Sequence, residues 1–153
     1  ITHTRVAPKV KAFPEYADVV IDVIALLRER AELATERGVS EDKLIFDPGI
    51  DIAKTPAESV ELLRRLPELG ELGRPLLIAV SRKDFVGALT GRSPAGRDAG
   101  TLAAVGAAVD GGASILRVHD VAGVRDYLAV RAALVNGTGA DLRLETGLRR
   151  EPV

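Results

Sequence analysis

Short, uninterrupted apolar runs alternate along this chain with longer segments of helical period, and that alternation restricts the fold more than any other feature. Lys43-Leu44-Ile45-Phe46, Pro75 to Val80 and Ser114 to Val118 read as strands. None shows the in–out alternation of a strand with one wet face, so burial on both faces is expected, as in a parallel sheet. Between the strands the spacing predicts helices. Tyr16, Val19, Val20, Val23, Ile24, Leu27, Ala31 and Ala34 recur at helical spacing from Pro14 to Arg37, and Gly38 stands where a C-terminal glycine belongs. Thr55-Pro56-Ala57-Glu58 opens the next helix: Thr55 can cap, Pro56 suits the first helical position, and Glu58 completes a capping box. A short helix to about Leu89, an Ala/Gly-rich helix from Asp98 to Asp110 and a last helix from Val121 to Leu134 follow. Strands alternating with helices make βαβ units and an α/β fold.

With Ile1-Thr2-His3-Thr4 as the end of one more strand, the chain supplies about four strands, against the eight of a closed (β/α)8 barrel of roughly 250 residues. It also opens on Ile1 rather than Met, which suggests a piece of a longer protein. The expected organisation is one domain over residues 1–135 and a polar, irregular tail over 136–153.

The chain has 153 residues, 46% of them apolar, with 21 basic and 22 acidic side chains for a net charge of −1. That balance argues against nucleic-acid binding by bulk electrostatics. The absence of Cys excludes disulfide scaffolds, thiolate metal sites and Cys nucleophiles. No apolar run is long enough to span a bilayer and no signal peptide leads the chain, so no membrane partner and a cytoplasmic location are expected.

Polar residues collect where the strands end: His3, Asp47, Ser81-Arg82-Lys83, and Arg117 with His119. In parallel α/β folds this edge binds ligands, because side chains converge there from neighbouring strands. Strand period places Arg117 and His119 on one face, Leu116 and Val118 on the other. Two cation-capable groups on one face suggest an anion, and phosphate suits Arg through bidentate hydrogen bonds. The alternative is an Arg paired with a structural carboxylate and a His satisfied by a backbone carbonyl. Asp47 could accept two parallel N–H donors from an amino-pyrimidinone edge such as that of a pterin or guanine, or could only hold its own turn as an Asx-turn. Ser81-Arg82-Lys83 leads into a helix start that can hold an anion, or is a solvated helix start whose cations oppose the helix dipole. His3, between two threonines near the chain start, reads as solvated. Gly49 to Thr55 lacks the glycine spacing of a P-loop.

Taken in order, these elements resemble the C-terminal half of the dihydropteroate synthase family, the pterin-binding barrels of folate biosynthesis. The matching residues are Thr2-His3 with Pro8 and Tyr16 ahead of a long helix, then Phe46-Asp47-Pro48-Gly49 with Lys54-Thr55. Ser81-Arg82-Lys83-Asp84-Phe85-Val86-Gly87 and Arg117-Val118-His119-Asp120-Val121 complete them. The resemblance implies a partial (β/α)8 TIM barrel, from about the end of strand 5 to helix 8. It implies a transferase that joins a dihydropterin-methyl diphosphate to p-aminobenzoate and releases diphosphate. By that resemblance Asp47, Lys83 and Arg117 bind the pterin, and Arg82, Arg117 and His119 hold the diphosphate. Ser81 and Arg82 lie on the aminobenzoate side. Mg2+ is the implied cofactor, with no ligand among these residues, and a homodimer is a possible assembly. The isolated chain is expected to lack synthase activity.

Two departures from the family pattern favour a second reading, a non-catalytic relative that keeps the fold and a pterin or anion site. Where the family reads close to Gly-Phe-Gly-Lys, this chain has Asp51-Ile52-Ala53-Lys54. Ile52 replaces an aromatic that packs on aminobenzoate, and Asp51 is expected to place a carboxylate near an anionic substrate, where like charges disfavour binding. The Ser-Arg-Lys and Arg-Val-His-Asp-Val blocks favour the synthase over a third possibility, a methyltetrahydrofolate methyltransferase.

Overall fold

A computed structural model of the chain describes residues 1–4, 13–138, 142–143 and 147. Pro8 and most of the polar tail lie outside the described residues. The chain divides into two compact units, Ile1–Asp120 and Val121–Val153.

In the first unit, four segments run parallel and side by side. Thr2 bridges Asp47, Phe46 bridges Leu76, and β1 (Leu77–Ile78) pairs with β2 (Ile115–Leu116), Leu77 opposite Ile115. His3 N donates to the Asp47 carbonyl at 2.8 Å, Leu77 N to that of Phe46 at 2.7 Å, and Arg117 N to that of Ile78 at 3.0 Å. The order along the edge is therefore residues 1–3, 46–47, 76–78 and 115–117. The regular strand pairing is shorter than the apolar runs that encode it. Burial also differs from the expectation at one end: Phe46, Ile78 and Val80 are buried, whereas Ile115 is 37% exposed.

The helices follow their local signals. Helix α1 spans Val19–Glu36, later than Pro14 because Asp18 is its N-cap, its side chain accepting from the amides of Val20 and Ile21. The Arg65 guanidinium on Asp18 holds that carboxyl below the usual range. Val20, Val23 and Leu27 form the buried face of α1. Helix α2, Pro56–Arg64, starts with the anticipated capping box: Thr55 Oγ1 accepts from Glu58 N and Glu58 Oε2 accepts from Thr55 N at 2.7 Å. Helix α3 spans Asp84–Thr90 and ends on Gly91, and α4 spans Asp98–Asp110, burying Thr101, Ala104, Val105 and Ala108. α2 packs against α1, α3 and α4. Thr55→Ala removes one half of the capping box and is expected to lower unfolding free energy by about 1 kcal/mol. Denaturant titration reads this, and an unchanged midpoint would show that the box contributes nothing.

The second unit contains α5, Val121–Asn136, two residues longer than its sequence pattern suggested. No helix among the described residues is long and apolar enough to cross a membrane.

Candidate functional site

The parallel order brings the polar exits of the strand segments to one edge. A pocket of about 280 Å³ opens there, lined by Ala79, Ser81, Lys83, Arg117, Val118 and His119. The residues after β1 supply Ser81 and Lys83, and those after β2 supply Arg117 and His119. His119 Nδ1 lies 2.8 Å from Ser81 Oγ, and His119 N donates to the same oxygen at 3.2 Å. This crosslink fixes the imidazole beside the mouth without a carboxylate. No acidic residue lines the pocket. Its lining carries two permanent cations, Lys83 and Arg117, so its field attracts anions.

Arg117 is exposed, so the cost of a buried charge is not what makes it informative. Its meaning comes from sharing a pocket with Lys83, on a different segment. Ser81, His119, Lys83 and Arg117 are thus brought together as the sequence suggested. Arg82 is not: its guanidinium pairs with Asp98, Nε to Oδ1 at 2.9 Å, and does not line the pocket. That pair raises the Arg82 pKa further.

Asp47 stands on the adjoining segment, and its Asx-turn is formed. Gly49 N donates to Asp47 Oδ1 at 2.8 Å and Thr2 Oγ1 reaches Oδ2 at 3.4 Å. A carboxylate has about four acceptor positions, so this turn leaves capacity for a ligand. The two readings of Asp47 are therefore compatible rather than exclusive.

Beneath Asp47 lies a cluster that sequence reasoning missed. His3 is fully buried, which overturns the expectation that it is solvated. Lys54 is 1% exposed, and its Nζ sits 2.9 Å from His3 Nδ1 and 3.0 Å from the carbonyl oxygens of Gly49 and Ile52. Three partners in fixed directions make burial of an ammonium tolerable. Burial nevertheless pushes its pKa down to about 8, opposed mainly by the nearby Asp47 and Glu58 carboxylates. The signal available in sequence was a lysine in a stretch with no helical period, five residues beyond a turn glycine. Nothing in one dimension says that it folds back under that turn.

The Gly49–Lys54 segment is strained. Asp51 and Ala53 hold positive φ (59° and 52°), as does Arg82 at 57°, and these are the non-glycine residues so placed among those described. Left-handed backbone at Asp51, Ala53 and Arg82 puts this strain on the two loops that follow Asp47 and Ser81. The Asp51 carboxylate, expected beside an anionic substrate, is engaged within the fold. It accepts from Ser59 Oγ at 2.9 Å and from the backbone amides of Asp84 and Phe85. That negative charge at the start of α3 also offsets the opposition between the helix dipole and Lys83.

Among the described residues there is no group of three or more His, Asp or Glu side chains that could hold a metal ion, and no step is assigned to one.

The geometry agrees with what the chain is similar to. Residues 1–119 match the model of a family described as pterin binding enzyme. A curated relative, dihydropteroate synthase from Neisseria meningitidis serogroup C, is 42% identical over 137 residues, 88% of this chain and 48% of the relative. Two solved structures of dihydropteroate synthase from Xanthomonas albilineans are also 42% identical. One, in complex with 7,8-dihydropteroate, superposes with a TM-score of 0.80 over 88% of this chain and 49% of that one. The other, with 4-aminobenzoic acid, gives a TM-score of 0.82 over 88% and 48%. The chain thus spans about half the length of the relatives it matches.

Proposed function

Because this chain belongs to the pterin binding enzyme family, we propose that it supplies part of the active site of a dihydropteroate synthase. In that reading it is the later portion of a (β/α)8 barrel whose parallel edge faces the substrates. The observation that carries the proposal is the pocket where Lys83, Arg117, His119 and Ser81 converge from two parallel segments with no acid among them. Such a lining suits a substrate that is planar and polar at one end and a diphosphate at the other.

Asp47 then accepts N–H donors from the pterin's amino-pyrimidinone edge, while its existing bonds from Gly49 and Thr2 hold the carboxylate in orientation. Lys83 lies along the pterin's carbonyl edge, and the Arg117 guanidinium stacks on the ring. Arg117 and His119 receive the diphosphate. Ser81 is on the aminobenzoate side, and Arg82 would have to exchange the Asp98 carboxylate for that of the aminobenzoate.

In the reaction the amine nitrogen of 4-aminobenzoate bonds to the pterin methylene carbon as its C–O bond to diphosphate breaks. The bonding electrons leave with diphosphate, and the proton shed by nitrogen passes to diphosphate or water. Cations beside the departing oxygens stabilise the charge that develops there. An arylamine attacking a carbon of cationic character needs no general base. The setting of this reading is folate biosynthesis in the cytoplasm, with assembly as a homodimer.

Of the two departures that favour a non-catalytic relative, Asp51 is engaged by α3 and Ser59, which weakens its support for that alternative, whereas Ile52 still stands for it. The test is made in the longest natural polypeptide that carries this chain. Incubated with the dihydropterin-methyl diphosphate and 4-aminobenzoate, it should release dihydropteroate and diphosphate in equal amounts. Lys83→Ala and Arg117→Ala should each weaken pterin binding by about tenfold or more, the loss of a charge-assisted hydrogen bond or a stacked cation. Absence of product from the wild-type polypeptide would sink the proposal.

A further inference from the structure

The loop that carries Asp47 and the loop that carries Lys83 leave different strand segments, yet one side chain ties them together. Asp51 is held at its own end by Ser59, a fully buried residue of α2: Asp51 N donates to Ser59 Oγ at 3.1 Å, and Ser59 Oγ donates to Asp51 Oδ1 at 2.9 Å. Its other carboxylate oxygen, Oδ2, crosses to the second loop and accepts from Asp84 N and, at 3.4 Å, from Phe85 N. Those are the first amides of α3, whose N-cap residue, Lys83, provides no side-chain cap. Asp51 therefore caps α3 from another loop, with its charge at the positive end of the helix.

The same turn is pinned from the opposite side. Arg97 Nη1 donates to the carbonyl oxygens of Arg82 and Lys83 at 2.9 and 3.1 Å, and Arg82 N donates to Thr101 Oγ1 at 3.0 Å. Lys83 thus has its carbonyl held by Arg97 and the following amide held by Asp51. A left-handed Arg82 persists only because these bonds over-determine the turn.

We propose that Asp51 is a positioning residue that sets the spacing between the Asp47 carboxylate and the Lys83 ammonium, and so determines how tightly one planar pterin is clamped between them. The proposal rests on the synthase reading above, since it needs a ligand that touches both loops. It differs from a stability role in one measurable respect. If Asp51 acts through Lys83, its loss matters only while Lys83 is present.

The experiment is a double-mutant cycle in the longest natural polypeptide that carries this chain, with 6-hydroxymethylpterin and inorganic diphosphate titrated separately by calorimetry. Asp51→Gly is the informative variant, because glycine adopts the positive φ without strain and the loop keeps its path. Asp51→Gly should weaken the pterin about tenfold, yet change it by only about twofold in a Lys83→Ala background. Diphosphate, which needs Arg117 and His119 rather than the clamp, should change by less than about threefold. Equal losses of pterin affinity in both backgrounds, or none in either, overturn the positioning role. If Asp51→Gly does not fold, Asp51→Asn keeps one acceptor oxygen and tolerates the same backbone, and the same cycle decides with a smaller loss. Wild-type protein that binds no pterin marks failure of the synthase reading, a result distinct from wild-type binding that Asp51 variants leave unchanged.

Discussion

Gly49→Ala should destabilise the folded chain by about 3–5 kcal/mol. Two independent costs add at this position. Gly49 has φ +69°, a conformation that costs an alanine about 1–2 kcal/mol. The added Cβ would also overlap the His3 carbonyl oxygen and stand 3.3 Å from the His3 carbonyl carbon. That neighbour is backbone, held by the bridge of Thr2 with Asp47, and cannot swing aside. Any accommodation displaces the Gly49 amide from Asp47 Oδ1 and the Gly49 carbonyl from Lys54. Gly38→Ala is the comparison, because Gly38 has φ +90° and nothing within 4 Å of a built Cβ. Chemical denaturation of both variants separates the terms: Gly38→Ala should lose only the conformational part. Equal losses at the two positions would mean that the close approach of Gly49 to His3 contributes nothing.

A second large effect concerns pH. The Lys54 ammonium is depressed to about 8 from an ordinary value of 10.5, first by burial, with Asp47, Glu58 and Asp51 opposing and Lys83 adding to the depression. Below about pH 8 both the folded and unfolded chains carry the proton, and the cost of burying the charge is fully felt. Between about 8 and 10.5 the unfolded chain holds more protons than the folded one, so stability rises with pH. Above 10.5 both are neutral and the gain is complete. The shift corresponds to about 3 kcal/mol. Measured as the difference between wild type and Lys54→Met, which cancels the other titrating groups, unfolding free energy should climb by that amount from pH 7 to pH 11. A difference that stays flat across this range would mean that Lys54 is solvated and that its bonds to His3, Gly49 and Ile52 do not persist in solution.

The two effects share a cause, the packing of Gly49 and Lys54 against His3, and that cause was not legible in the chain. Thr55-Pro56-Ala57-Glu58 announced its helix because a capping box is satisfied within four consecutive residues. The Asp98–Asp110 helix announced itself for a similar reason, since propensity and a closing glycine act locally. The polar exits of the strands were legible too, because an apolar run that stops on Asp, Lys or His declares the end of a buried strand. Ser81, Lys83, Arg117 and His119 were readable as polar residues at strand ends on that ground, and one pocket brings them together.

What the sequence by itself determined is the set of elements, their parallel βαβ order and the edge on which polar side chains collect, because each follows from periodicity, caps and side-chain charge near in the chain. Only the tertiary structure decided which partners those charges take. It buried His3 beside a lysine 51 residues away, turned Arg82 onto Asp98, and spent the Asp51 carboxylate on a helix in another loop. Charge and hydrogen-bonding capacity are properties of a residue, but their use depends on which long-range neighbour satisfies them, and local pattern carries no record of that.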